Sequence, residues 1–315
     1  MRCGDAIALC ALFLVAGIHA EPRVVAQNAV ATAKPATPDT SKSSYRWDEH
    51  WATLPAGYRW GTMSAVAVDR AGNVYGLQRD DPTSKVVVFD AHGRFVRAWG
   101  EGAFPYAHGL RALSDGSIWA TDRKAQQVFR FDPTGRVLMT LGQRDVVGDM
   151  KATNAFNGAS DVALGDGGAI FVSDGEGGNA RVVKFASDGR FISTWGEKGD
   201  GPGQLNGPHC IAVDPRGRVW VGDRGNRRLQ LFDQNGRVLS EMRQFGTPVS
   251  VAFANDRVFV ASPAPENTVT IGTLDGTVLE TIGGLDSPHG IAVDATGAIY
   301  VAESGGKAIL KFVKR

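Results

Sequence analysis

At 315 residues, with 34 Lys and Arg against 33 Asp and Glu, the chain carries a formal net charge of +1. That balance excludes the basic field with which proteins hold phosphate backbones, so no nucleic-acid partner is expected. Forty glycines beside a 9% aromatic content suit many short strands joined by tight turns.

The first twenty residues read as a secretory signal. Arg2 supplies a weak positive start, Asp5 opposes it, and Ala20 offers a cleavage point. The apolar stretch from Ala6 to Ile18 is too short to span a bilayer as a helix, and no later apolar run makes a transmembrane segment. The expected location is therefore secreted or periplasmic, with an uncleaved membrane anchor as the alternative. Cys3 and Cys10 fall within the signal, which leaves Cys210 alone and no internal disulfide. Residues 21–44 are rich in Ala, Pro, Thr, Ser and Lys, with almost no large apolar side chain. Such a segment cannot bury enough surface to offset chain entropy, so a disordered linker is expected over 21–44.

From Tyr45 to Arg315 one pattern recurs at roughly forty residues. Its first half is an apolar strand, a polar turn with Gly and a second strand: "SAVAVDRAGNVYGLQR", "HGLRALSDGSIWATDR", "SDVALGDGGAIFVSDG", "HCIAVDPRGRVWVGDR", "VSVAFANDRVFVASP" and "HGIAVDATGAIYVAES". Its second half is another pair, as in "VVVFDAHGRFVRAWG" and "VFRFDPTGRVLMTLG". Four antiparallel strands per unit and six units predict an all-β, six-bladed β-propeller over 45–315, since radial stacking buries both faces of every unit. The sixth unit stops at "ILKF" with its outer strand missing. The segment Tyr45–Trp60 is expected to supply that strand and close the ring. A seven-bladed ring or an open solenoid is the alternative, and a monomer is expected.

In such a ring the first strand of each blade lines the channel. Aligning the repeats puts Ser64, His108, Ser160, His209, Val249 and His289 in one register. His108, His209 and His289 then fall on alternate blades, all pointing inward, which is the arrangement of a zinc site with an open fourth position. Copper or iron would also be tolerated. The plainer alternative is a duplicated histidine that only fills the channel mouth. Of the other histidines, His19 lies in the signal, His50 in the closing segment and His92 in a turn. Two residues on, Val66, Leu110, Val162, Ile211, Val251 and Ile291 form an apolar ring, expected to plug the channel or to pack as ordinary core.

The turn-and-strand pattern resembles the NHL-repeat propellers across nearly all of the chain after Tyr45. Within that class, "YAHGLRALSDGSIWATD", "LNGPHCIAVDPRGRVWVGDRGNRRLQ" and "DSPHGIAVDATGAIYVAE" resemble peptidyl-α-hydroxyglycine α-amidating lyase. That family cleaves a C-terminal hydroxyglycine to a peptide amide and glyoxylate on a tri-histidine zinc. The resemblance implies that His108, His209 and His289 are metal ligands. It also implies that Arg79, in "VYGLQR", and Arg224, in "VGDRGNRR", face a substrate carboxylate, for which a guanidinium is a bidentate partner.

Two departures stand out. The family's catalytic tyrosine lies in a loop like "SDGYGNAR", whereas this chain reads "SDGEGGNAR" with Glu176 at that place. Glu176 is thus a candidate general base, or else a solvated loop residue. The family's calcium site uses carbonyls matching Val66 and Leu110 and an Asp where Gly290 stands, so calcium is not expected. The copper monooxygenase half of the family's pathway has no counterpart in this sequence. The resulting expectation is a zinc-dependent carbon–nitrogen lyase acting on a small molecule or peptide with a carboxylate. The alternative is a non-catalytic propeller binding a peptide, glycan or protein, because propellers host unrelated functions. A lactonase-like or antibiotic-lyase-like propeller, the former with a carboxylate-rich calcium centre, ranks below both.

Overall fold

A computed structural model of the protein describes residues 37–80, 83–113 and 115–315. The signal read over 1–20 and the linker as far as residue 36 lie outside the described residues. A short strand β1 (Tyr45–Trp47) precedes the blades. Blade one is β2 (Met63–Val68), β3 (Val74–Gln78), β4 (Lys85–Phe89) and β5 (Phe95–Trp99). Blade two is β6 (Ala107–Ala112), β7 (Ile118–Asp122), β8 (Gln127–Phe131) and β9 (Val137–Leu141). Blade three is β10 (Ala159–Leu164), β11 (Ile170–Asp174), β12 (Arg181–Phe185) and β13 (Phe191–Trp195). Blade four is β14 (Pro208–Val213), β15 (Val219–Asp223), β16 (Arg228–Phe232) and β17 (Val238–Met242). Blade five is β18 (Ser250–Ala254), β19 (Arg257–Ser262), β20 (Thr268–Thr273) and β21 (Val278–Ile282). Blade six is β22 (Pro288–Val293), β23 (Ile299–Glu303) and β24 (Ala308–Lys314), completed by β1. The six sheets are each four-stranded and antiparallel, so the chain is the six-bladed propeller that the repeat predicts. Among the described residues, no helix is long and apolar enough to cross a membrane.

Local chemistry explains the hairpins. In blade one, Asp69 Oδ1 accepts the backbone N–H groups of Ala71 and Asn73, each at 2.9 Å, and Gly72 takes φ +83° to complete the turn. Asp294 and Gly297 repeat the device in blade six. The strands between are Val, Ile and Phe rich, which suits a pleated surface buried on both faces.

The ring closes where the sequence places the closure. Strand β1 lies antiparallel to β24, with Tyr45 opposite Lys314 and Trp47 opposite Phe312. Described residues before Tyr45 are also bonded to the propeller. Asp39 and Gly283 exchange two backbone hydrogen bonds of 2.8 and 2.9 Å, and Ser44 N donates to Glu280 Oε2 at 2.6 Å. The expected linker therefore does not extend to residue 44. Residues 37–44 are held by backbone and carboxylate contacts, which composition does not register.

Six hydrophobic clusters fill the six spaces between neighbouring blades. Val66, Leu110, Val162, Ile211, Val251 and Ile291 each belong to a different one. The apolar ring is therefore core, each side chain contributing about 1.5–3 kcal/mol by burial, and it is not what bars the channel. Buried Cys210 in β14 is packing too, its thiol pushed up to about 12 by burial and so unreactive.

Candidate metal centre

His108, His209 and His289 are each the second residue of an inner strand, in β6, β14 and β22. Their ring centroids lie 4.6, 5.0 and 4.9 Å apart, and one ring nitrogen of each lies within 4.8 Å of the others. The register predicted from the repeat thus brings the three imidazoles together on the axis.

The other three members of the register orient them. His108 Nδ1 donates to Ser160 O at 2.7 Å, His209 Nδ1 to Val249 O at 2.9 Å, and His289 Nδ1 to Ser64 O at 2.6 Å. A carbonyl can only accept, so each Nδ1 carries the proton and each Nε2 keeps its lone pair. Each histidine is therefore locked by the next blade around the ring. Glycine permits this closeness: a Cβ at Gly109 would lie 2.7 Å from Ser160 O, and one at Gly290 would lie 2.6 Å from the Cα of Ala65.

Burial holds all three rings neutral. The pKa values of His108 and His209 lie well below the usual imidazole value, through desolvation first and a neighbouring imidazole second. His289 is lowered to about 4 by desolvation and then by Arg79. His209 Nε2 is buried without a hydrogen-bond partner. Three converging neutral nitrogen donors, each fixed by a second hydrogen bond, form a set that can hold a transition-metal ion.

Glu176 lies beside His108 and His209. It follows β11, its side chain is 5% exposed, and its Oε2 and Oε1 stand 4.0 Å from His108 Nε2 and His209 Nε2. The carboxylate is not the solvated loop residue of the plainer sequence reading. Arg123 Nη1 donates to Oε2 at 3.0 Å, and Arg224 Nη2 stands 2.9 Å from Oε1. The loop is pinned beneath, with Glu176 N donating to Gly158 O at 3.0 Å and Gly177 N to Asn157 O at 2.9 Å. A Cβ at Gly158 would meet Gly177 N at 2.1 Å, so only glycine allows the approach.

Arg79 and Arg224, singled out from the sequence, both reach this end of the channel. Arg79 stacks on Tyr106, its guanidinium carbon 4.7 Å from the ring centroid, and Arg123 lies 5.2 Å from the same centroid. Sequence reasoning missed Arg123 and Tyr106. A signal for Arg123 was available, because Arg79, Arg123 and Arg224 each directly follow the second strand of a blade.

Below the histidines the axis is barred by a polar contact. Arg111 pairs with Asp161 through Nε, at 3.1 Å, and through Nη2, while Nη1 donates to Val251 O at 3.0 Å and Nη2 to Ile211 O at 3.2 Å. This guanidinium meets carbonyls from blades four and five, and Gly290 has no room for a carboxylate side chain. Beyond it the channel widens into a cavity of about 780 Å³ lined mainly by Val, Ala, Ile and Leu.

The NHL repeat family matches residues 205–232 and 285–312. Human NHL repeat-containing protein 3 is 35% identical over 302 residues, an alignment spanning 87% of this chain and 85% of that one. Peptidyl-alpha-hydroxyglycine alpha-amidating lyase 1 of Drosophila melanogaster is 28% identical over 319 residues, spanning 81% of this chain and 57% of its own length. Among solved structures, a streptogramin B lyase superposes with TM-score 0.59 at 17% identity, over 86% of this chain and 98% of that one, a likeness of fold alone.

Proposed function

The chain belongs to the family of NHL repeat-containing protein 3, and from there we propose that it is a metal-dependent carbon–nitrogen lyase similar to peptidyl-α-hydroxyglycine α-amidating lyase. One observation carries the reading: three imidazoles on alternate blades bring one ring nitrogen each within 4.8 Å of the others, each ring held by a carbonyl of the next blade. Homology to the amidating lyase supports the reaction class.

His108, His209 and His289 would hold zinc, whose Lewis acidity lowers the pKa of a hydroxyl at the site. Arg224 and Arg123, each about two-fifths exposed, and Arg79 beside them orient the carboxylate of a hydroxyglycine-type substrate. Glu176 takes the proton of the substrate hydroxyl. The freed electron pair forms the aldehyde carbonyl of glyoxylate as the C–N bond breaks. The bonding pair stays on the amide nitrogen, which recovers a proton from the carboxylic acid of Glu176. Atoms and charge balance without an oxidant. The signal reading of residues 1–20 puts this chemistry outside the cytoplasm.

The test is glyoxylate release from α-hydroxyhippurate by zinc-loaded protein. Turnover that disappears in His209→Ala supports the lyase; fully loaded protein releasing no glyoxylate removes it. A non-catalytic binding propeller is favoured by one observation, the replacement of the lyase family's tyrosine by Glu176. Peptide or glycan binding that persists unchanged in His289→Ala would select that reading.

A further inference from the structure

We propose that Glu176 is a fourth protein ligand of the tri-histidine centre, and that a carboxylate-bearing ligand opens the centre by taking Glu176's place on Arg123 and Arg224. The proposal rests on the metal reading above and deepens it, giving Glu176 a role before it acts as a base.

Two buried atoms carry it. Glu176 Oε1 and His209 Nε2 both lack a hydrogen-bond partner, and they face each other at 4.0 Å. The second carboxylate oxygen stands at the same 4.0 Å from His108 Nε2. Nitrogen and carboxylate ligands bind zinc at about 2.0–2.2 Å, and at a tetrahedral angle two of them stand about 3.4 Å apart, so a side-chain shift of roughly half an ångström would close the 4.0 Å contacts. The carboxylate is therefore within reach of an ion held by the histidines. Glu176 Oε1 has only the poorly aligned guanidinium of Arg224 at 2.9 Å and His209 Nε2 has no donor at all, so a cation shared between these two acceptors would favour both.

The arginines make the arrangement reversible. Arg123 and Arg224 are 39% and 40% exposed, so a ligand from solvent reaches them, whereas the Glu176 side chain they hold is 5% exposed. Arg123 makes a hydrogen bond to Glu176, while Arg224 contributes proximity without a well-aligned bond. That contact is easily exchanged. Swapping one carboxylate for another leaves the charge around the arginines unchanged. The pinned backbone at Gly158 and Gly177 confines the motion to the side chain, so Glu176 stays beside the centre after release.

Cobalt(II) in place of zinc tests this, because the intensity of its visible bands reports coordination number. N-acetylglycine is the probe: it carries the carboxylate and has no hydroxyl to react. Glu176→Ala and Glu176→Gln are both compared with the parent, with melting curves to establish that each is folded. We expect both variants to bind cobalt at least about tenfold more weakly, since even residues that only orient ligands cost that much, and to show an altered spectrum. N-acetylglycine should drive the parent spectrum toward that of Glu176→Ala, and should not do so in Arg123→Ala/Arg224→Ala. Spectra and affinities unchanged by either Glu176 substitution would overturn the proposal. So would N-acetylglycine that binds by calorimetry without moving the parent spectrum. If the protein binds no cobalt, this proposal and the lyase reading both fall. If cobalt reports Glu176 but glyoxylate is never released, only the lyase reading falls.

Discussion

The two halves of the propeller axis use buried polar groups in opposite ways. At the lower level Arg111 meets Asp161, Ile211 O and Val251 O, and the guanidinium is satisfied by the protein itself. At the upper level His209 Nε2 and Glu176 Oε1 are buried without partners, although the opposite side of every imidazole is carefully bonded. Buried polar groups left unpaired are costly, and a bound ion is one way to offset that cost. The lower contact is a strut that ties blades two to five across the channel. On the metal reading proposed above, the upper cluster is what an ion would complete.

The largest expected effect belongs to the strut. Asp161→Ala leaves Arg111 without its counter-charge and should lower unfolding free energy by about 3–5 kcal/mol, read by urea titration. Metal content per folded molecule should be unchanged. If metal is lost with stability, the two levels are one unit and the contrast fails. A smaller effect is expected from Arg224→Ala, which removes one charge-assisted contact to a substrate carboxylate. It should raise KM for hydroxyhippurate by about 10- to 100-fold, the equivalent of about 1.5–3 kcal/mol, with little change in melting temperature. A lowered kcat at unchanged KM would instead assign Arg224 to the chemical step.

A third contrast separates blade six from blades three and four. Asp174 and Asp223 end the second strands of their blades, and each pairs with a buried arginine, Arg181 or Arg228, at 2.9 and 2.8 Å. Glu303 holds the same slot in blade six, where Ala308 stands opposite and, among the described residues, no arginine is paired with it. Burial therefore pushes Glu303 up to about 7. Its folded pKa lies above its unfolded one, so its contribution is complete below about pH 4.5 and is lost as pH rises through about 7. Stability should fall across that window by at most about 1.4 kcal/mol per pH unit, and Glu303→Gln should flatten the slope. An unchanged slope in that variant would show that Glu303 is not the group responsible.

The parts that repeat were the parts legible in the sequence. The blades, the β1 closure and the three histidines all follow from aligning units of about forty residues, because the fold copies backbone register from blade to blade. What the alignment could not supply is what breaks the repeat. Arg111 and Asp161 come from different blades at non-equivalent positions. The orientation of Glu176 depends on two glycine contacts between separate loops. The carbonyls that lock the histidines belong to Ser64, Ser160 and Val249, whose side chains advertise nothing of the kind. Residues 37–44 were misjudged because the bonds from Asp39 to Gly283 are made by the backbone, which side-chain composition cannot report.

Elemental analysis of the purified protein, parent and each single histidine-to-alanine variant, bears on all of this at once. One ion per chain in the parent, and its loss from His108→Ala, His209→Ala and His289→Ala alike with the fold intact, is the result expected of a shared centre. A parent that takes up no transition metal after equilibration with zinc would contradict it. So would variants that keep a full equivalent, and either outcome would leave the three histidines as channel packing.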